Sequence, residues 1–132
     1  MQKIVLVCIL SFVFGYAGPI CDFKINDAKA QIQYAIQKNL NANIPELQKN
    51  LQKLEKTCKD SDILDEIHQN IQATQSNLDQ VKMNLDTART DGNAHKIRQA
   101  QIEFKIANMQ YIAAKQELLR MQDLLKSQKN VK

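Results

Sequence analysis

Two heptad ladders run through the second half of the chain. The first is Leu64, Ile67, Ile71, Thr74, Leu78, Val81, Leu85 and Ala88. The second is Ile97, Ala100, Phe104, Ala107, Tyr111, Ala114, Leu118, Met121 and Leu125. Alternating steps of three and four place each set on one helix face and mark a seam that meets a partner helix. Thr90-Asp91-Gly92-Asn93, between the ladders, reads as a turn. Folding the chain there pairs Ala88 with Ile97, Leu85 with Ala100, Val81 with Phe104 and Leu78 with Ala107. Thr74 then meets Tyr111, Ile71 meets Ala114, Ile67 meets Leu118 and Leu64 meets Met121. The two positions of every pair have the same sum, so no layer slips. The pattern predicts an antiparallel αα-hairpin with helices at about 62–89 and 94–127, each roughly 40–50 Å long. Leu85, Leu78 and Ile71 oppose Ala100, Ala107 and Ala114, and large against small lets the two axes approach closely.

The backs of the two helices differ. Away from its seam the 62–89 helix shows Asp65, Gln69, Gln72, Ser76, Asp79, Gln80 and Asp86, a face for water. The 94–127 helix carries a second apolar stripe opposite its seam: Ile102, Ile106, Met109 and Ala113, with Ile112 and Leu119 beside it. A helix apolar on two faces requires cover on both.

The first half supplies candidates for that cover. A helix at about 22–40 has Ile25, Ala28, Ile32, Ala35, Ile36 and Leu40 along one side. Asn39, Asn41 and Asn43 suit a connection, and Pro45 fits a first helical position, where its missing N–H is no loss. A second helix then continues to about residue 59 with Leu47, Leu51, Leu54 and Cys58 as its stripe. At 59–62 the stripe loses phase; Ser61 is the expected N-cap of the next helix, with Asp62, Asp65 and Glu66 near its positive end. The alternative is a kinked continuation, since neither Gly nor Pro separates the two. Few breakers and almost no β-branched runs make the whole chain all-α. The expected architecture is an antiparallel bundle of three to four helices. The 94–127 helix lies in its middle, and the N-terminal pair covers Ile102, Ile106, Met109 and Ala113.

Residues 1–17 have the pattern of a signal peptide: Lys3, an apolar run over residues 4–14, then Gly15-Tyr16-Ala17 with small residues where a signal peptidase reads. Cleavage after Ala17 is expected, because cutting after Gly18 would put Pro19 directly beyond the scissile bond. As a membrane anchor the run is too short, about 16 Å of helix against a hydrocarbon core of roughly 30 Å. No later segment is apolar enough to span a bilayer. Residues 18–132 then form a single helical-bundle domain.

Export changes the reading of the cysteines. Cys8 leaves with the signal peptide, so in an oxidising compartment Cys21 and Cys58 have each other. Their bridge closes a loop of about 38 residues and contributes about 4 kcal/mol in the chain-entropy model. The alternative is two free thiols, one of them linking two chains. An intramolecular bridge ties the far end of the second helix to the start of the first.

Charge and candidate chemistry add mainly exclusions. The net charge of +4 falls by one with Lys3, and the 15 Gln and 11 Asn beyond residue 17 dominate the polar surface. Basic residues are dispersed among acids, and only Phe23, Tyr34, Phe104 and Tyr111 are aromatic beyond residue 17, so nucleic-acid binding is disfavoured. His68 and His95 lie far apart and have no partners at zinc-ligand spacing. Asp60-Ser61-Asp62 lacks the glycine and the spacing of an EF-hand loop. No nucleophile–base motif or glycine-rich phosphate loop stands out, so neither an enzyme nor a cofactor is expected. The Thr74–Tyr111 layer is the one polar rung; it reads as a rim tyrosine beside a space-filling threonine rather than a site.

The expected function is that of a small secreted, non-enzymatic helical protein that binds a protein partner in an extracellular fluid or gland secretion. A monomer is expected, with a homodimer as the alternative. The rival reading is an extracellular carrier of lipid or another apolar ligand, since amphipathic helices can open onto lipid. The 102–113 stripe separates the cases: covered, the molecule is a closed bundle; bare, it offers a pocket or a docking face.

Overall fold

The computed structural model describes residues 18–131, so the proposed signal peptide lies outside the described residues. Among the described residues the fold has four α-helices and one short turn of 3₁₀ helix: α1 (Pro19–Gln37), the 3₁₀ turn (Asn41–Asn43), α2 (Ile44–Thr57), α3 (Asp60–Asp91) and α4 (Ala94–Lys129). The all-α reading and the long C-terminal hairpin are as the sequence predicts.

Local chemistry sets each boundary. Pro19 opens α1, three residues earlier than the apolar pattern suggests, and Gly18 before it has φ +97°. The free amides of Ile20 and Cys21 donate to the Asp60 carboxylate at 3.3 and 2.8 Å, so the cap comes from another helix. At the far end Asn39 adopts the left-handed conformation. Leu40 N–H donates to the Ala35 carbonyl and Asn39 N–H to that of Ile36, the bond pair of a Schellman ending. α3 also ends on a left-handed residue, Gly92 (φ +72°), whose N–H is shared between the Ala88 and Arg89 carbonyls without the longer Schellman bond. Asn93 then caps α4, its side-chain oxygen accepting from the amides of His95 and Lys96.

Two expectations at the α2–α3 junction are settled. Cys58 and Lys59 have extended backbone, so α2 and α3 are separate helices and not one kinked helix. Ser61 is not the cap of α3: the helix begins at Asp60, two residues earlier than expected, and the Ser61 hydroxyl lies 3.4 Å from Asp62 Oδ1. The Cys21–Cys58 disulfide forms, with its Cα atoms 5.9 Å apart, and fastens the first turn of α1 to this junction.

α3 and α4 pack along their length on the predicted seam. At the junction end Ile20, Ile67 and Met121 form a core, with Phe23, Ile63, Leu64, Ile71, Leu118, Leu124 and Leu125 against it. Toward the Gly92 turn a second cluster holds Leu85, Ala88 and Ala100, flanked by Ile97 and Phe104. Ala100, Ala107 and Ala114 are buried, as large-against-small layers require. The Thr74 hydroxyl donates to the Asn70 and Ile71 carbonyls of its own helix, so the threonine of the polar rung is satisfied locally.

One expectation fails. The N-terminal pair does not cover the back of α4 at Ile102, Ile106 and Met109. α1 is long enough, but its start is held at the α2–α3 junction by the disulfide and by Asp60. That junction lies beside Met121, about 22 Å along α4 from Ile106. α1 therefore meets the long hairpin through Ile20, Phe23 and Lys24, while α2 packs on α1 and buries no residue fully. Lys24 Nζ reaches Glu117 Oε1 at 2.6 Å, and the Arg120 guanidinium stacks 4.6 Å from the Phe23 ring centre.

Candidate interaction surface

α4 repeats every 3.6 residues, so positions 102, 106, 109 and 113 fall within about 60° of one another and opposite the 100–107–114 seam. Toward the C-terminus the same face carries Arg120, stacked on Phe23, and Leu124, packed into the junction core. Toward the middle of the helix no described residue covers it: Ile102 is 54 %, Ile106 52 % and Met109 69 % exposed, and Ala113 is exposed too. Ile112 and Leu119 flank the row and are also exposed. Isolated exposed apolar residues are ordinary, but a row along one rigid helix is not.

The stripe has an asymmetric border. Arg98 and Lys105 lie along one edge and Glu103 along the other, all three exposed. The Glu103 carboxylate accepts from Gln99 Nε2 at 3.1 Å, which orients it along the helix. Glu117, further along that edge, is engaged by Lys24.

The remaining candidates are accounted for by structure. His68 Nδ1 lies 2.8 Å from the Leu64 carbonyl of its own helix, and His95 sits in the first turn of α4. Among the described residues no group of three or more His, Cys, Asp and Glu is placed to hold a metal ion, and no buried side-chain nitrogen or oxygen lacks a partner. Nor is any helix there long and apolar enough to cross a membrane. Two of the clefts are lined by no residue of α4. One of about 390 Å³ beside the disulfide is lined by Leu54, Cys58 and Ile63, with Lys53, Asp62 and Glu66 among its charged walls. The other, about 530 Å³, lies between α1 and α2 at Tyr34, Ala35, Leu40 and Leu47.

Sequence reasoning found the stripe from periodicity. It missed Asp60, which it treated only as one acid of a cluster at a helix start. Its role as cap of α1 depends on a contact across 39 residues and leaves no periodic signal.

The fold thus defines a class: a disulfide-tied helical protein whose long αα-hairpin leaves one apolar helix face bare. The chain belongs to the DUF1090 family, described as protein of unknown function, whose model matches residues 5–113. The matched span includes both bridge cysteines and the whole 102–113 stripe. Comparison with curated proteins and with solved structures gives no match.

Proposed function

We propose that this chain is an exported, non-enzymatic binding protein, and that a protein partner docks an amphipathic helix on Ile102, Ile106, Met109 and Ala113. The observation that carries this reading is the bare stripe on a helix whose opposite face is fully engaged in the hairpin core. Such a helix is held in place by its seam and pre-organised, so a partner loses little by ordering it. The mode is helix-in-groove recognition, read by anchors at i, i+4, i+7 and i+11. The charged border supports a partner with an apolar seam, acids beside Arg98 and Lys105 and a base beside Glu103. The 17-residue leader pattern and the Cys21–Cys58 pair support action outside the reducing cytosol, where such a bridge persists.

The test is a pair of variants. Ile106→Asp and Met109→Asp change exposed positions, so folding by circular dichroism and thermal melt is expected to be unchanged. A partner crosslinked from the compartment of export through a photoreactive residue at 102 should be lost in both. Persistence of the same crosslink would overturn the assignment. Binding of the wild-type chain to phospholipid vesicles, lost in the same variants, would transfer the face to the carrier reading.

A further inference from the structure

Gly18 and Asp60 are packed against each other more closely than any other residue type at position 18 would permit. A Cβ built on Gly18 would overlap Asp60 Oδ2 and stand 2.6 and 2.9 Å from Cγ and Oδ1. The same carboxylate accepts from the amides of Ile20 and Cys21, both wholly buried. Asp60 is itself half-buried, and two residues before it Cys58 bridges to Cys21. The start of α1 is therefore wrapped around one carboxylate.

Position 18 is also the residue that the leader pattern leaves first in the chain. The Gly18 nitrogen is one bond, about 1.46 Å, from the Cα that crowds Asp60, which puts it within about 5 Å of the carboxylate. As part of a peptide bond to Ala17 that nitrogen is neutral. As a chain terminus it is an ammonium group that can turn about a single bond toward the oxygens. An opposite charge at 4–6 Å is close enough to bind.

We propose that removal of the leader completes the fold: the new Gly18 ammonium pairs with the Asp60 carboxylate and locks the start of α1 onto the α2–α3 junction. The inference rests on the cleavage position in the export reading and is independent of the docking face. It also accounts for an otherwise unfavourable feature. A cation at a helix N-terminus opposes the helix dipole. Asp60 lies between that cation and the first-turn amides, so the repulsive contact becomes an attractive one. The lock is available only to a chain cut after Ala17: one residue more buries a neutral amide there, and one residue fewer removes the glycine that the close approach needs.

Because the effect depends on both groups, its sign changes when Asp60 is neutralised, and that is the test. Cys21 permits native ligation of a Gly-Pro-Ile thioester, with a free or an acetylated terminus, to residues 21–132. Four mature chains result: free or acetylated Gly18, each with Asp60 or with Asp60→Asn. With Asp60 the free amine is expected to raise Tm by about 3–5 °C over the acetylated form. With Asp60→Asn the free amine should lower Tm, since only the opposition to the helix dipole is left. Equal shifts in both backgrounds would overturn the lock. Intact mass of the exported protein is a separate readout. A terminus at Gly18 supports the proposal, and a terminus elsewhere overturns it through its premise while leaving the α4 variants as the judge of the docking face.

Discussion

The two ends of the long hairpin are built from the same two helices and differ in almost everything else. At the junction end three helices converge. Ile20 from α1 fills the gap between Ile67 and Met121, a disulfide and a shared carboxylate fasten the third helix, and Lys24 and Arg120 tie its flank to α4. At the Gly92 end the described residues supply two helices. Leu85, Ala88 and Ala100 are buried because the seam is tight, and among the described residues no third element stands over them. Two helices alone can bury only the strip between them, whereas a third closes a core on every side. The comparison teaches that one end of this molecule stores stability and the other end presents surface. The bare 102–113 stripe lies on the presenting half.

The sharpest way to break that contrast is to make the same kind of cavity at both ends. Met121→Ala removes a side chain with no exposure, walled by residues of three helices, and is expected to cost about 3–5 kcal/mol by urea denaturation. Leu85→Ala is expected to cost about 2–3 kcal/mol, because water and neighbouring side chains can move into a two-helix seam. Equal losses would mean that the third helix adds little to the core.

Removing the bridge comes next in size. Cys21→Ser with Cys58→Ser should cost about 2–4 kcal/mol. Hydrogen exchange should locate the loss: α1 and α2 lose protection, while amides around Leu85 and Ala100 keep theirs. A uniform loss across α3 and α4 would show that the two ends are one cooperative unit.

The smallest effect is confined to the turn. Gly92 has φ +72°, and a Cβ there meets no atom within 4 Å, so Gly92→Ala brings backbone strain alone, about 1 kcal/mol. Amides on either side of the turn should exchange about fivefold faster, with those near Ile67 and Met121 unchanged. Equal acceleration at both ends would again merge them.

Much of this was legible in the residues because helix seams are local and periodic. The register of α3 against α4 follows from where Leu, Ile and Ala recur, and the turn from Gly92-Asn93. Both bridge cysteines were identified by elimination once Cys8 was assigned to the leader. The second stripe on α4 was legible for the same reason. Where α1 would lie was not, because its length and amphipathicity suit several faces equally. Nor was the cap of α1 legible, since Asp60 acts across a tertiary contact rather than at the local position where capping residues are sought.

The sequence alone therefore determined the all-α class, the hairpin, its register and the identity of the second apolar face. Those properties depend on spacing, and spacing is written in one dimension. Tertiary structure decided which face of α4 is covered and which is left exposed among the described residues. The reason is geometric: Cys58 and Asp60 anchor the start of α1 beside Met121, and from there α1, although long enough to reach Ile106, packs along α2 rather than along the back of α4.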